Sequence, residues 1–147
     1  MEFRLKEQLE KHKLSCRKLE KILNIPNAKL NKYCKNLAFP TIERAVVIVD
    51  YFDVSLDNIT GLSNYSNFNL KPANIETFKI RLEELIKQEK SQVQFFKKCG
   101  IDRSNLIRWR KSNTFPKITN LYLIAKNTNT SLDYLVGRTD KNILRDY

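Results

Sequence analysis

The sequence predicts an all-α chain built from two tandem five-helix units, and three observations carry that expectation. Residues 91–116, SQVQFFKKCGIDRSNLIRWRKSNTFP, read as two short helices joined by a tight turn at Gly100. Most of this unit has a counterpart 76 residues earlier in the chain. Three glycines and four prolines in 147 residues argue against a β-sandwich or a low-complexity chain, and for helices joined by short turns.

Within 91–116, Ser91 and Asp102 are good N-cap residues, because a short side-chain oxygen accepts from the orphan N–H groups of a first turn. Val93, Phe95, Phe96, Cys99, Ile101, Leu106 and Trp109 fall where the two helices share one buried corner. The residues expected to point outward are Arg103, Ser104, Asn105, Arg108, Arg110 and Lys111. A helix-turn-helix whose second helix is basic and bears an amide is a shape suited to reading DNA.

The repeat is densest at its end, where SLDNITG (55–61) returns as SLDYLVG (131–137). The same offset pairs Phe39-Pro40 with Phe115-Pro116, Ile42 with Ile118, Ile48 with Ile124, Leu30 with Leu106 and Tyr33 with Trp109. It also pairs Ile25 with Ile101, Leu19 with Phe95 and Ser15 with Ser91, and slips by one residue in the first helix, where Arg4-Leu5 matches Arg81-Leu82. The matched positions are apolar, capping or turn residues, which is what two copies of one fold require.

In the first copy, helix one is expected over 3–13 with Phe3, Leu5 and Leu9 inward. Helix two follows the Ser15 cap and buries Leu19, Ile22 and Leu23. After a turn at Asn24-Ile25-Pro26, helix three spans 27–37 with Leu30, Tyr33, Cys34 and Leu37 at helical spacing. Pro40 and the Thr41 cap open helix four (42–52), whose Ala45, Val46, Val47, Ile48, Val49, Tyr51 and Phe52 mark it as central. Ser55 caps a short helix five that ends at Gly61. In the second copy, helix one covers 75–89 with Phe78, Leu82, Leu85 and Ile86 inward. Helix four covers 117–127 with Leu121, Leu123, Ile124 and Ala125, and helix five starts after Ser131.

The domains are therefore expected at 1–62 and 75–147, with 63–74 as an Asn- and Ser-rich linker containing Pro72. Tyr65, Phe68 and Leu70 within it either pin the linker onto a domain or ride on a flexible tether. The tail, 138–147, holds an Ile143-Leu144 pair that would add a final turn or a dimer contact.

The formal charge is +11, which favours an anionic partner, nucleic acid first and a membrane surface second. Against that stands the plainer reading that Lys and Arg only coat helices for solubility. Residues 1–62 carry 11 Lys/Arg against 8 Asp/Glu (+3), and residues 75–147 carry 15 against 8 (+7). The second copy is thus expected to supply more of the salt-dependent affinity for a polyanion.

No apolar run approaches the roughly 20 residues that span a bilayer, and the N-terminus runs straight into a charged helix. A cytoplasmic protein without a membrane partner is expected. Cys16, Cys34 and Cys99 are far apart in sequence and include no CxxC, and His12 is the one histidine, so neither a disulfide framework nor a metal site is expected. One His, with no HExxH, P-loop or GxSxG, leaves little for catalysis, so neither an enzyme nor a cofactor is expected. The Glu83-Glu84 pair reads as a solvent-exposed helix face. The low glycine content and many Asn, Lys and Ile residues hint at an AT-rich bacterial or mobile-element genome.

The succession of Ser91, Phe95, Cys99-Gly100-Ile101, Leu106, Trp109, Phe115-Pro116 and SLDYLVG resembles the Cro/repressor (XRE-type) helix-turn-helix domain. That domain occurs in phage repressors and many small bacterial regulators. The first copy resembles it through Ser15, Leu19, Leu23, Ile25, Leu30, Tyr33, Phe39-Pro40 and SLDNITG. There Asn24 replaces the turn glycine and Pro26 takes the cap position.

The resemblance implies that the residue after the helix-two cap bonds a phosphate or a base. This is Gln92 in the second copy and Cys16 in the first, where Arg17 would compensate for the poor donor. It implies major-groove contacts from Arg103, Ser104, Asn105 and Arg108, and from Asn27, Ala28, Lys29 and Lys32. Arg reads guanine and Asn reads adenine bidentately, each for about 1–3 kcal/mol of discrimination. Lys35, Arg110 and Lys111 would meet phosphate. Arg103 and Arg108 are alternatively a plain exposed basic face. Trp109 and Tyr33 are expected in the core, His12 in solvent, and Cys16 and Cys99 as small fillers in preference to redox sensors.

The function expected is a sequence-specific double-stranded DNA-binding transcriptional regulator, a repressor acting as an internal pseudo-dimer on an asymmetric operator of two half-sites. The alternative is a protein-binding module: an antitoxin, an anti-repressor or an inhibitor of a nucleic-acid enzyme. Besides DNA, the chain itself or a regulatory protein is a candidate partner. No residues remain for a self-cleaving protease domain, so control by autoproteolysis is not expected.

Overall fold

A computed structural model describes residues 1–64 and 69–142, and among them are ten α-helices and no strand. The first five are α1 (Leu5–Lys11), α2 (Cys16–Leu23), α3 (Asn27–Cys34), α4 (Ile42–Phe52) and α5 (Leu56–Ile59). The last five are α6 (Ile75–Lys87), α7 (Gln92–Cys99), α8 (Asn105–Lys111), α9 (Ile118–Asn127) and α10 (Leu132–Leu135).

Side-chain caps set most of the starts. Ser15 accepts from Lys18 N–H, Thr41 from Arg44 N–H, Ser55 from Asn58 N–H, Asn74 from Glu76 and Thr77 N–H, and Ser131 from Tyr134 N–H. Left-handed residues set several stops. Asn24 (φ 56°) ends α2, Asp53 (φ 53°) ends α4 and Gly100 (φ 71°) ends α7. Asn and Asp tolerate that conformation better than most side chains, so the absence of a glycine after α2 costs the α2–α3 turn little.

In the first half of the chain Phe3, Leu5, Leu9, Leu19, Leu30, Tyr33, Ile42, Ala45 and Ile48 are buried together. In the second half Phe78, Leu82, Phe95, Phe96, Leu106, Trp109, Leu121 and Ile124 are buried. Several apolar residues placed inward by periodicity are not. Ile22 is 48% exposed, Val47 44%, Tyr51 43% and Val93 52%. Leu37 is 73% exposed because α3 stops at Cys34 and Asn36 turns the chain at φ 56°. Helix α1 likewise starts only at Leu5, where the Phe3 N–H donates to Asn36 Oδ1 at 2.7 Å instead of opening a helical turn.

The two halves meet where α5 packs on α10. The Asp57 carboxylate accepts from Ser131 Oγ and Leu132 N–H, both at 2.5 Å. The Asp133 carboxylate accepts from Leu56 N–H (3.1 Å) and Asp57 N–H (3.0 Å). Each short helix thus has a first-turn N–H satisfied by a carboxylate of the other, across 75 to 77 positions of sequence. Burial, and then the neighbouring Asp133 charge, push the Asp57 carboxyl up to about 8.

Arg138 supplies the counter-charge. The sequence reading placed it in a terminal tail, yet its side chain is among the largest fully buried ones. Gly137 (φ 84°) turns the chain back and the Arg138 N–H donates to Asp133 O. The guanidinium then reaches Asp133 Oδ1 through Nη1 and Asp50 Oδ1 through Nη2, each at 2.6 Å.

The segment read as a linker is fastened at its far end. Lys71 N–H donates to Arg138 O and Asn74 N–H to Val136 O, both at 2.8 Å. Arg81 lies over the Tyr134 ring and pairs with Asp140, which also pairs with Lys71. Tyr65, Phe68, Ile143 and Leu144, on which the linker and tail readings rested, lie outside the described residues. The turns after α3 and α8 face one cleft of about 560 Å³, with Phe39, Pro40, Thr41 and Glu43 on one wall and Thr114 to Thr119 on the other.

Candidate nucleic-acid interface

The α7–α8 pair is built as its sequence suggests up to Gly100. Ser91 Oγ accepts from Gln94 N–H at 3.2 Å, and Phe95, Phe96 and Cys99 are buried. A Cβ at Gly100 would meet nothing within 4 Å, so the glycine serves the positive φ and not a close approach. Asp102 then departs from its expected place. Its carboxylate accepts from Ser104 N–H at 2.8 Å, which holds it below the usual carboxylate range, but this closes a turn, and regular helix begins at Asn105. Leu106 and Trp109 anchor α8, with the indole 6.0 Å from the Phe96 ring.

On the other side of α8, Arg103, Ser104, Arg108, Arg110 and Lys111 are exposed and Asn105 is half-buried. Gln92, exposed at the start of α7, shares a shallow groove with Arg103, Ser104, Ile107 and Arg110. The structure therefore gathers most of the second copy's candidates on one face. Two carry partners that sequence did not anticipate. Arg108 Nη2 donates to Asn105 Oδ1, so these two side chains are presented as a unit. Arg110 pairs with both Glu83 oxygens, at 2.7 and 3.1 Å. Glu83 is thus no idle member of an exposed acidic pair, and the Arg110 charge is partly offset.

The α2–α3 pair differs. Cys16 is half-buried with Sγ 4.0 Å from Cys34 Sγ, so two thiols far apart in sequence meet in space. Burial, and then Cys16, push the Cys34 thiol up to about 12. Pro26 gives α3 no side-chain cap, and the Glu20 carboxylate fills in by accepting from Asn27 N–H. Asn31 Nδ2 donates to Asn27 O (3.0 Å) and Oδ1 (3.1 Å). Arg17, Ala28, Lys29, Lys32 and Lys35 are exposed and Asn27 is half-buried. An acidic cap and an engaged asparagine offset part of this face's donor capacity, as Asn105 and Glu83 do on α8. Tyr33 is core, as expected, and its hydroxyl accepts from Arg44. His12 is exposed and lies 5.0 Å from the Phe52 ring.

Sequence reasoning missed Glu20, Asn31, Ile107 and the Asp57–Asp133 pair. The aspartates had a visible signal, the same Asp in SLDNITG and SLDYLVG. Ile107 was hidden because an isoleucine beside Leu106 is easily counted as core.

A family model described as Helix-turn-helix matches residues 82–135, which run from the second half of α6 through α10. Over 62 residues the chain is 34% identical to an uncharacterized HTH-type transcriptional regulator of Haemophilus influenzae, a match covering 42% of this chain and 26% of that protein. The chain thus spans about a quarter of the length of the curated relative it matches. No solved structure matches. No helix among the described residues is long and apolar enough to cross a membrane.

Proposed function

We propose that the protein is a sequence-specific double-stranded DNA-binding transcriptional regulator, acting as a repressor by occupying its operator. In this reading residues 1–62 and 75–147 are two helix-turn-helix domains joined by 63–74, and one chain does the work of a dimer. The observation that carries it is the reciprocal capping of α5 and α10 by Asp133 and Asp57, a pseudo-symmetric junction within one chain. Covalent linkage raises the effective concentration of the second contact, so a single chain would engage both half-sites. Support for DNA as the partner comes from the helix-turn-helix match and the exposed basic face of α8.

The reading faces of α3 and α8 differ, so the operator is asymmetric, with half-sites about 10 bp apart as in two-fold helix-turn-helix complexes. Selecting bound duplexes from a random pool with the full chain, then footprinting the best one, tests this. Two unlike half-sites covered by one chain are expected. A perfect inverted repeat bound by two chains, or no preferred sequence, refutes it. A second reading, a protein-facing first domain, draws on the Glu20 cap and on exposed Ile22 and Leu37. It gains ground if removing the charges of Lys29 and Lys32 leaves DNA affinity unchanged.

A further inference from the structure

Ile107 is 64% exposed, although Leu106 and Trp109 on either side of it are buried. Within α8, at 3.6 residues per turn, 107, 108 and 111 lie on the side away from 106 and 109, and the exposed turn residues Arg103 and Ser104 precede them, so Ile107 sits on the outward face. Its neighbours three and four positions away are Arg103, Ser104, Arg110 and Lys111. It shares its groove with Gln92, Arg103, Ser104, Arg110 and Asp102, whose carboxylate is engaged by the Ser104 N–H. The side chain cannot turn inward without leaving that groove, since α8 already commits Leu106 and Trp109 to the core.

A single exposed apolar residue is ordinary on a protein surface. This one lies on a face that is otherwise polar and, apart from the Asp102 carboxylate, cationic. The major groove presents anionic phosphates at its edges and, inside, one apolar feature, the thymine C5 methyl. We infer that Ile107 reads a thymine methyl in the half-site engaged by α8, flanked by polar reading from Arg103, Ser104 and Gln92. The inference rests on the DNA-reading function proposed above. It makes Ile107 a specificity-determining residue, and it places α8 on a thymine-containing half-site. The residue 76 positions earlier is Asn31, a polar side chain engaged with Asn27, so the two half-sites should differ at this position.

The test uses the full chain and the best duplex selected from a random double-stranded pool. Each thymine is replaced in turn by deoxyuridine, which lacks only the C5 methyl. Binding of wild type, Ile107→Ala and Ile107→Val is then measured by mobility shift. At one or two thymines of one half-site, wild type should lose roughly four-fold, the worth of one buried carbon, and Ile107→Ala should lose nothing further. Ile107→Val should retain part of the discrimination, and thermal unfolding of both variants should match wild type because the side chain is exposed. If the uracil and alanine effects multiply independently at every thymine, or no uracil replacement matters, this inference fails while the DNA-reading function stands. If the pool yields no preferred sequence, both fail.

Discussion

Replacing Arg138 by methionine keeps most of the side-chain length and removes the cation that pairs with Asp133 at the α5–α10 junction. Asp133 is 0% exposed and would keep its bonds from Leu56 and Asp57 N–H while losing its ion pair. A buried charge stripped of its partner costs about 3–5 kcal/mol, a large part of the roughly 5–15 kcal/mol that holds an ordinary domain folded. Asp50 contributes little of this, because its side chain is 57% exposed and water screens it. With a urea slope near 2 kcal/mol per molar, the unfolding midpoint should fall by about 2 M. Urea titrations followed by fluorescence of the single tryptophan and by circular dichroism provide the assay. The double variant Asp133→Asn/Arg138→Met should recover part of the loss, since the stranded charge is gone. A loss below about 1 kcal/mol would contradict the assignment of Arg138 as the counter-ion of a buried carboxylate.

Other outcomes follow from the same geometry. The folded protein holds the Asp57 proton up to about pH 8, whereas an ordinary carboxyl releases it near 3.8. The folded state therefore binds more protons between those values. The contribution of this group, full below pH 4, is lost as pH rises through 8, and urea midpoints of Asp57→Asn should show a shallower decline over that window. Alanine at Arg103 or Arg108 should weaken binding to the selected duplex more than alanine at Lys29 or Lys32, and the opposite ranking in a mobility-shift titration refutes the asymmetry. Glu83→Gln frees Arg110, so it should steepen the dependence of log affinity on log salt by about one unit; an unchanged slope means that Arg110 does not reach phosphate.

Much of the fold was legible because it is written in local terms. Helical spacing of Leu19, Leu30, Leu106 and Trp109, caps at Ser15, Thr41, Ser55, Ser91 and Ser131, and turns at Asn24 and Gly100 are decided within a few residues. Periodicity went wrong where a helix stopped early, at Leu37, or where one apolar residue too many was assigned to a narrow buried stripe, at Ile22, Val47 and Val93. The candidate reading face was legible as a set of residue types on one helix. Which of its charges are already paired was not, since Glu83 approaches Arg110 from a helix 27 positions away.

By itself, then, the sequence determined the all-helical content of the described residues and the basic character of α8, both of which depend on neighbours a few positions apart. Tertiary structure alone decided that Asp57 and Asp133 cap each other's helices, that Arg138 leaves the tail to pair with Asp133, and that Cys16 meets Cys34. The physical reason is that a buried charge or polar group is stable only beside a partner, and nothing local in a sequence names a partner on the far side of an interface.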